Sequence, residues 1–257
     1  MTTPPNETPD WLNVPGTPSR RIAVRRREGQ GTPILWVGGF RSDMMSTKAL
    51  ALDGLAAGLG HPMIRFDYSA HGESPGLFEE MTLSHWLADT LAVLDTLGDA
   101  RPVIVGSSMG GWITLLAMRE RHRLGKPDPK GLVLIAPAVD FTEELMWKAF
   151  SDDVKNTILD KGVYYQPSAY GEPYPITKSF IEDGRKHLML GAPITPHAPV
   201  HILQGVKDPD VPVTHIQRLL KHMPMADVTV SYVPDGDHRL SRPEDIALLE
   251  RAVERMI

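Results

Sequence analysis

The sequence predicts an α/β domain built on a mainly parallel sheet. Six short apolar runs alternate with longer helical patterns along the 257 residues. Most of the runs are continuous rather than alternating in polarity, which is typical of strands buried on both faces of a parallel sheet. The alternation of strands and helices indicates βαβ units with right-handed crossovers. The predicted strands are 33–37, 62–66, 102–105, 131–135, 199–203 and 227–233.

Five segments have the pattern of helices that cover such a sheet. In the second of them a leucine recurs every three or four residues from Leu83 to Leu94. This spacing places the leucines on one face, and Thr82 stands where a cap is expected. The predicted helices are 47–59, 82–97, 110–122, 214–223 and 242–256.

A long segment, residues 139–196, interrupts the rhythm of strands and helices. It contains short helical stretches and many large apolar side chains, but no convincing strand. A segment of this length is more typical of an inserted lid than of a loop. We expect Trp147 and other aromatic residues of the lid to contact the substrate. The predicted organisation is therefore an extended N-terminal arm (1–19), a core (20–138 and 197–257) and a helical lid (139–196).

Charge and composition exclude several classes of function. The formal net charge is −5, so nothing suggests a nucleic-acid partner. Five arginines lie between residues 20 and 27, and we interpret them as the charged edge strand of the sheet. The absence of cysteine excludes disulfides, a cysteine nucleophile and thiolate metal sites.

The N-terminus has no targeting pattern. It lacks the basic and apolar regions of a signal peptide, and its first arginine is Arg20. No apolar run approaches the length of about 18 residues that spans a bilayer. We therefore expect a cytoplasmic protein without a transmembrane segment.

The strongest motif follows the third predicted strand. Residues 106–110 read GSSMG and stand between a strand and a helix, the context in which G-x-S-x-G forms a nucleophile elbow. Gly106 and Gly110 permit the sharp turn that exposes the serine. Ser108 is the predicted nucleophile because it alone has glycine two residues before and two residues after; Ser107 does not. The alternative is an ordinary turn. The motif in this context predicts an α/β-hydrolase fold.

An oxyanion hole requires two N–H groups that point at the developing charge. One is expected from Met109, directly after the nucleophile, and the other from the loop after an upstream strand. That loop contains Gly38, Gly39 and Phe40, and the glycines let the backbone approach the substrate. We predict Phe40 as the second donor and Arg41 as its alternative; Gly39 and Arg41 are expected to contact the substrate.

A serine nucleophile needs an imidazole base, and the sequence has ten histidines. In this fold the chain order is serine, acid, histidine, which favours a histidine on the loop after the last strand. His238 is in that position. The other late histidines, which lie on or beside predicted helices and strands, are His197, His201, His215 and His222.

The acid is expected on the loop after the preceding strand. Asp208 is the predicted acid and Asp210 its alternative; Asp140 is a more distant candidate. Asp67 is interpreted as a structural residue that stabilises the turn after its strand.

With these motifs, the sequence resembles the branch of the α/β-hydrolases that contains mitochondrial palmitoyl-protein thioesterases and acyl-glucuronide esterases. The resemblance implies a triad of Ser108, Asp208 and His238, and it implies depalmitoylation or acyl-glucuronide cleavage. The missing presequence, and Gly38 where the branch has proline, indicate a bacterial relative. The shared stretches are 47–51 (TKALA), 64–69 (IRFDYS), 106–112 (GSSMGGW), 207–208 (KD), 211–212 (VP), 237–239 (DHR) and 244–246 (EDI).

Together these observations predict a serine hydrolase that cleaves a small-molecule carboxylic ester or acyl thioester through an acyl-enzyme. The chemistry requires no metal or organic cofactor. A C–C bond hydrolase or an acyltransferase on the same triad is the alternative. A non-catalytic receptor of this fold is disfavoured by the complete triad. The oligomeric state is not predicted.

Overall fold

The computed structural model describes residues 8–16, 18–168 and 171–257. Its main sheet has eight strands in the order β1-β2-β4-β3-β5-β6-β9-β10. The pairs β1–β2 and β2–β4 are antiparallel and the others are parallel, which confirms the predicted, mainly parallel sheet. The strands are β1 (Asp10–Val14), β2 (Arg20–Arg27), β3 (Ile34–Val37), β4 (Met63–Phe66), β5 (Val103–Ser107), β6 (Gly131–Ile135), β7 (Val163–Ser168), β8 (Gly171–Thr177), β9 (Val200–Gly205) and β10 (Val228–Val233).

Seven α-helices accompany the strands within the described residues. All five predicted helices are present, and α1 has the predicted bounds. The second begins one residue after Thr82, whose N–H donates to Nδ1 of His85 at 3.1 Å and so caps the helix. The helices are α1 (Thr47–Leu59), α2 (Leu83–Asp95), α3 (Met109–Arg123), α4 (Asp152–Lys161), α5 (Lys178–Arg185), α6 (Val213–Lys221) and α7 (Pro243–Glu254). No helix in the described ranges is long and apolar enough to cross a membrane.

The core lies on both faces of the sheet, as continuous apolar strands require. Successive residues of a strand point to opposite faces. Leu35 therefore joins the cluster covered by α2, α3 and α6, whereas Trp36 joins the cluster covered by α1 and α7. Burial on both sides fixes the register of β3 against its neighbours and so fixes where each strand ends.

The arginine-rich strand β2 is not an edge, so that interpretation was wrong. β1 pairs with it on one side and β4 on the other. Three of its five arginines are tolerated there because carboxylates from elsewhere in the fold pair with them. Arg20 contacts Asp89 at 3.0 Å, and Arg27 contacts Asp53 at 2.6 Å. The strand at this edge of the sheet is β1, which lies within the predicted arm. Residues 1–7 and 17 of the arm lie outside the described part of the chain.

The expectation of no strand between residues 139 and 196 was also wrong. β7 and β8 form an antiparallel hairpin separate from the main sheet. Because the hairpin is partly exposed to solvent and contains three prolines in its strands, it lacks the continuous apolar pattern of the core strands. The Asp140 carboxylate accepts N–H bonds from Met189 and Leu190, each at 2.8 Å, and so holds the start of the insertion against a point near its end.

Candidate active site

Ser108 occupies a strained turn between β5 and α3. Its φ is 54° and its ψ −116°, a conformation unfavourable for a residue with a side chain. Its N–H donates to the Ile135 carbonyl at 2.8 Å, and its own carbonyl accepts the Ala138 N–H at 3.1 Å, so β6 holds the turn in place. A side chain at Gly110 would be impossible because its Cβ would lie 2.1 Å from the Val37 carbonyl oxygen.

The structure brings Ser108, His238 and Asp208 into one hydrogen-bonded series. The Ser108 Oγ is 3.0 Å from Nε2 of His238, and Nδ1 of His238 is 2.7 Å from an Asp208 oxygen. The residues come from loops after β5, β9 and β10. The carboxyl ends of these parallel strands share one edge of the sheet, which explains how residues 130 positions apart meet. The Asp208 side chain is fully buried, whereas that of His238 is 23% exposed.

The loop after β9 distinguishes the two candidate acids. One oxygen of Asp208 accepts the N–H groups of Asp210 and Val211, both at 2.8 Å, while the other faces His238. Asp210 contributes its backbone N–H to this contact, and Asp210 itself is exposed. Asp140 is engaged at the base of the insertion instead, as described above.

Asp67 holds the loop after β4, as its structural interpretation predicts. Its two oxygens accept the N–H groups of Met44 at 2.6 Å and Glu73 at 2.8 Å. Burial raises the pKa of this carboxyl to about 6.

The loop that carries His238 is fastened from several sides. The Asp237 carboxylate accepts the N–H groups of Arg239 and Leu240 at 3.0 and 3.1 Å. The Lys48 ammonium donates to the Arg239 carbonyl and lies 3.3 Å from the Ser241 hydroxyl. Burial lowers the pKa of Lys48 to about 8. Sequence reasoning missed Lys48, although stretches 47–51 and 237–239 were both among those that carry the resemblance.

The loop after β3 lies against the serine. A Cβ at Gly39 would stand 3.2 Å from the Ser107 carbonyl oxygen, so glycine permits this close approach. Among the described residues, neither Phe40 nor Met109 donates its N–H to another backbone group. The Arg41 N–H, by contrast, donates to Nε2 of His71 at 3.1 Å. The alternative donor is therefore engaged elsewhere, whereas the two preferred ones have no backbone acceptor.

The Phe40 ring lies in an aromatic cluster that joins the core to the insertion. Its centroid is 5.3 to 5.9 Å from those of five other rings, and the Arg41 guanidinium lies 4.4 Å from one of them, Tyr174. Trp147 is half-buried elsewhere on the insertion, with the Arg185 guanidinium 4.9 Å from its ring. The sequence offered no signal for the cluster beyond aromatic content. The five rings are Phe78, Trp86, Phe141, Tyr174 and Phe180.

Two groups of potential metal ligands occur within the described ranges. The first group consists of Asp208, Asp210 and His238, in which Nδ1 of His238 is already hydrogen-bonded to an Asp208 oxygen. The second contains His122 and His197, whose rings stack with centroids 3.5 Å apart and planes 13° from parallel. Imidazole lone pairs lie in the ring plane, so stacked rings do not direct them at a common point. We assign no metal to either group.

Known proteins with similar sequences and structures share this architecture. The model of the alpha/beta hydrolase family matches residues 31–248. The human mitochondrial palmitoyl-protein thioesterase ABHD10 is 34% identical over 250 residues, which cover 96% of this chain and 79% of that protein.

Solved structures extend the comparison. A protein from Agrobacterium vitis S4 is 42% identical with a TM-score of 0.94, and the match covers 99% of this chain and 100% of that one. The mouse alpha/beta hydrolase domain-containing protein 10 is 32% identical with a TM-score of 0.84, over 96% of this chain and 97% of that one. These matches confirm both the predicted fold and the predicted resemblance: the chain belongs to the alpha/beta hydrolase family.

Proposed function

We propose that this protein is a serine hydrolase that cleaves carboxylic esters or acyl thioesters through an acyl-enzyme. The observation that carries the proposal is the series Ser108–His238–Asp208, with contacts of 3.0 and 2.7 Å. A serine hydroxyl is a weak nucleophile until a neighbouring imidazole accepts its proton. The strained backbone of Ser108 holds the hydroxyl at the carboxyl edge of the sheet, where ligands of such folds bind.

In the proposed cycle, His238 accepts the Ser108 proton as Oγ attacks the acyl carbon. His238 then donates that proton to the leaving alcohol or thiol, and the acyl-serine remains. His238 next takes a proton from water, whose oxygen attacks the acyl-serine. The bond between the acyl carbon and Oγ then breaks, His238 returns the proton to Ser108 Oγ, and the carboxylic acid leaves. Asp208, itself fixed by two N–H groups, holds the imidazole in the required tautomer and stabilises its charged form. No metal or organic cofactor takes part.

In each half of the cycle a negatively charged oxygen forms on the acyl carbon. We assign the N–H groups of Phe40 and Met109 as the donors that bind it. Both lack a backbone acceptor, and Met109 begins α3, where the helix dipole favours negative charge. Gly39 brings the Phe40 loop against Ser108. Arg41 follows directly, and its exposed side chain lies beside this loop, where it is able to contact the substrate.

The proposed substrate is a small acyl ester or thioester with an apolar acyl group. The relatives named as palmitoyl-protein thioesterases support the acyl chemistry. The aromatic insertion between residues 139 and 196 supports an apolar acyl group, because such surface recognises a chain by its area. A cytoplasmic location and the absence of a nucleic-acid partner are part of the same proposal; the curated mammalian relatives are named as mitochondrial.

A fluorophosphonate probe and a substrate panel test the proposal. We expect stoichiometric labelling of Ser108, identified by peptide mass spectrometry, and turnover of nitrophenyl esters or acyl-CoA thioesters. Faster cleavage of a β-diketone than of any ester would assign the triad to C–C bond hydrolysis, and acyl transfer to an added alcohol in preference to water would assign it to an acyltransferase. No labelling of folded protein would indicate a non-catalytic role.

A further inference from the structure

His71 is a buried histidine beside the oxyanion loop that takes no part in the triad. It follows β4, is 5% exposed, and packs against the rings of Tyr68, Phe78 and Trp86. Its Nε2 accepts the Arg41 N–H at 3.1 Å, and its Nδ1 lies 3.3 Å from the Ser69 carbonyl oxygen. A carbonyl only accepts and an amide N–H only donates, so both contacts are satisfied only when Nδ1 carries the proton and Nε2 does not.

The amide that His71 accepts belongs to a residue with unfavourable backbone geometry. Arg41 has φ 57°, in the left-handed region that costs a residue with a side chain free energy. The bond to His71 is therefore one of the contacts that keep the chain in this conformation. Because the Arg41 N–H belongs to the peptide bond between Phe40 and Arg41, this hydrogen bond holds the backbone on one side of Phe40. On the other side the Gly39 carbonyl accepts the Ser42 N–H at 3.2 Å.

From this arrangement we infer that His71 is a positioning residue for the oxyanion hole, whose neutral imidazole holds the Arg41 amide and thereby aims the Phe40 N–H at the reacting oxygen. The inference rests on the proposed function of the Ser108 site. Burial also lowers the pKa of His71 to about 4, so the imidazole remains an acceptor at neutral pH. His71 acts through the backbone and does not touch the substrate.

Two substitutions at position 71 separate positioning from packing. His71→Leu fills the space but has no acceptor, so the Arg41 N–H loses its partner. His71→Gln retains a side-chain carbonyl that is able to accept it. His201→Gln is the matched control, because His201 is also 5% exposed and bonds through Nε2 to the Ser231 hydroxyl at 2.8 Å, at the start of β9 and away from the loop after β3.

The measurements are kcat, KM, the melting temperature and the affinity for an alkyl boronic acid, whose tetrahedral adduct with serine places an oxygen in the oxyanion hole. Removal of an oxyanion donor outright typically costs about 10²- to 10³-fold in kcat. We therefore expect His71→Leu to lower kcat about 10- to 100-fold with KM nearly unchanged, and to weaken boronate binding by a similar factor. His71→Gln should recover much of both losses, and the control should lose neither.

Several outcomes would overturn the inference. One is a His71→Leu variant with wild-type kcat and boronate affinity; another is an equal loss in the His201→Gln control. If the Leu variant does not fold, long-range ¹H–¹⁵N spectra of the wild-type protein still decide the question, because a proton on Nε2 is incompatible with acceptance of the Arg41 amide. Absence of fluorophosphonate labelling in the wild type would contradict the proposed function instead, and so the two failures are distinguishable.

Discussion

Two adjacent serines stand at the elbow, and their environments differ. Ser107 ends β5 and is buried, whereas the Ser108 hydroxyl reaches His238. We expect Ser108→Ala to abolish fluorophosphonate labelling and to lower turnover by about 10⁴- to 10⁶-fold, since a nucleophile removed from a triad leaves only the residual effects of binding. Ser107→Ala is the matched control and should retain most activity. Strong ester turnover by the Ser108 variant would refute the assignment.

Asp208 and Asp210 are the two candidates for the carboxylate that orients His238. Asp208→Asn should lower kcat about 10³- to 10⁴-fold, because the amide favours the wrong imidazole tautomer. Asp210→Asn should change kcat little, since Asp210 contributes its backbone N–H to Asp208. Steady-state kinetics of the two variants on one nitrophenyl ester decide between them. Greater damage from the Asp210 variant would exchange the two roles.

At the scale of elements, α1 supports the loop after β10. Lys48 donates from α1 to the Arg239 carbonyl, next to His238. Lys48→Met leaves that carbonyl without its charged donor, and a hydrogen bond to a charged group contributes about 1.5–3 kcal/mol. We expect most of this free energy to support the position of His238. The variant should therefore lose about tenfold or more in kcat, with KM little changed.

Arginine retains the charge and the donor, so Lys48→Arg should recover part of the loss in kcat. Lys221→Met, at an exposed lysine of α6, is the control and should match the wild type. A Lys48→Met variant that loses melting temperature but keeps its kcat would assign Lys48 to stability alone.

The insertion is the other element whose role is open to measurement. Each buried methylene adds about 0.8 kcal/mol of binding until an apolar pocket is full. We therefore expect kcat/KM to rise with acyl length and then to fall, and Trp147→Ala to weaken the longer substrates selectively. A nitrophenyl ester series from acetyl to palmitoyl measures both effects.

Phe180→Leu provides a comparison within the same insertion, because Phe180 stacks on Phe40 with centroids 5.6 Å apart. Equal effects of Trp147→Ala on acetyl and longer esters would make Trp147 a packing residue. A preference of the wild type for acetyl over all longer chains would mean that the insertion closes the pocket instead of forming it.

At the scale of the whole molecule, His71 links stability to pH. Burial lowers its pKa to about 4, whereas an imidazole in an unfolded chain has a pKa of about 6.5. Between these values the unfolded chain binds a proton that the folded protein excludes. The contribution of His71 to the free energy of unfolding is therefore complete above pH 6.5 and is lost towards pH 4, at up to about 1.4 kcal/mol per pH unit.

Urea unfolding of the wild type and of His71→Gln from pH 4.5 to 7.5 measures this contribution. Because Asp67, with its pKa raised to about 6, contributes a slope of opposite sign over pH 4 to 6, the informative quantity is the difference between the two proteins. We expect the variant to gain stability relative to the wild type as the pH falls. Parallel curves would mean that His71 does not titrate on unfolding.

Local patterns in the sequence are enough to predict most strands and helices of this fold. Continuous apolar runs predict strands buried on both faces, and the bounds of the sheet strands and of helices such as α1 follow that pattern closely. Chain order and loop position were enough to select Ser108, Asp208 and His238 as candidates, because the fold brings the carboxyl ends of its parallel strands to one edge. These inferences need only the periodicity of side chains and the steric demands of a turn.

Contacts between segments that are distant in the chain could not be predicted from local patterns. β1 and β2 differ from the expectation because strand order and ion pairs such as Arg20–Asp89 depend on residues far away in sequence. The strands β7 and β8 pair with each other outside the main sheet and are partly exposed, so their sequence carries no core-strand pattern. Lys48 beside Arg239, and His71 beneath Arg41, are likewise set by packing. A sequence pattern indicates which side chains of a segment are buried. The residues that they pack against depend on the fold of the whole chain.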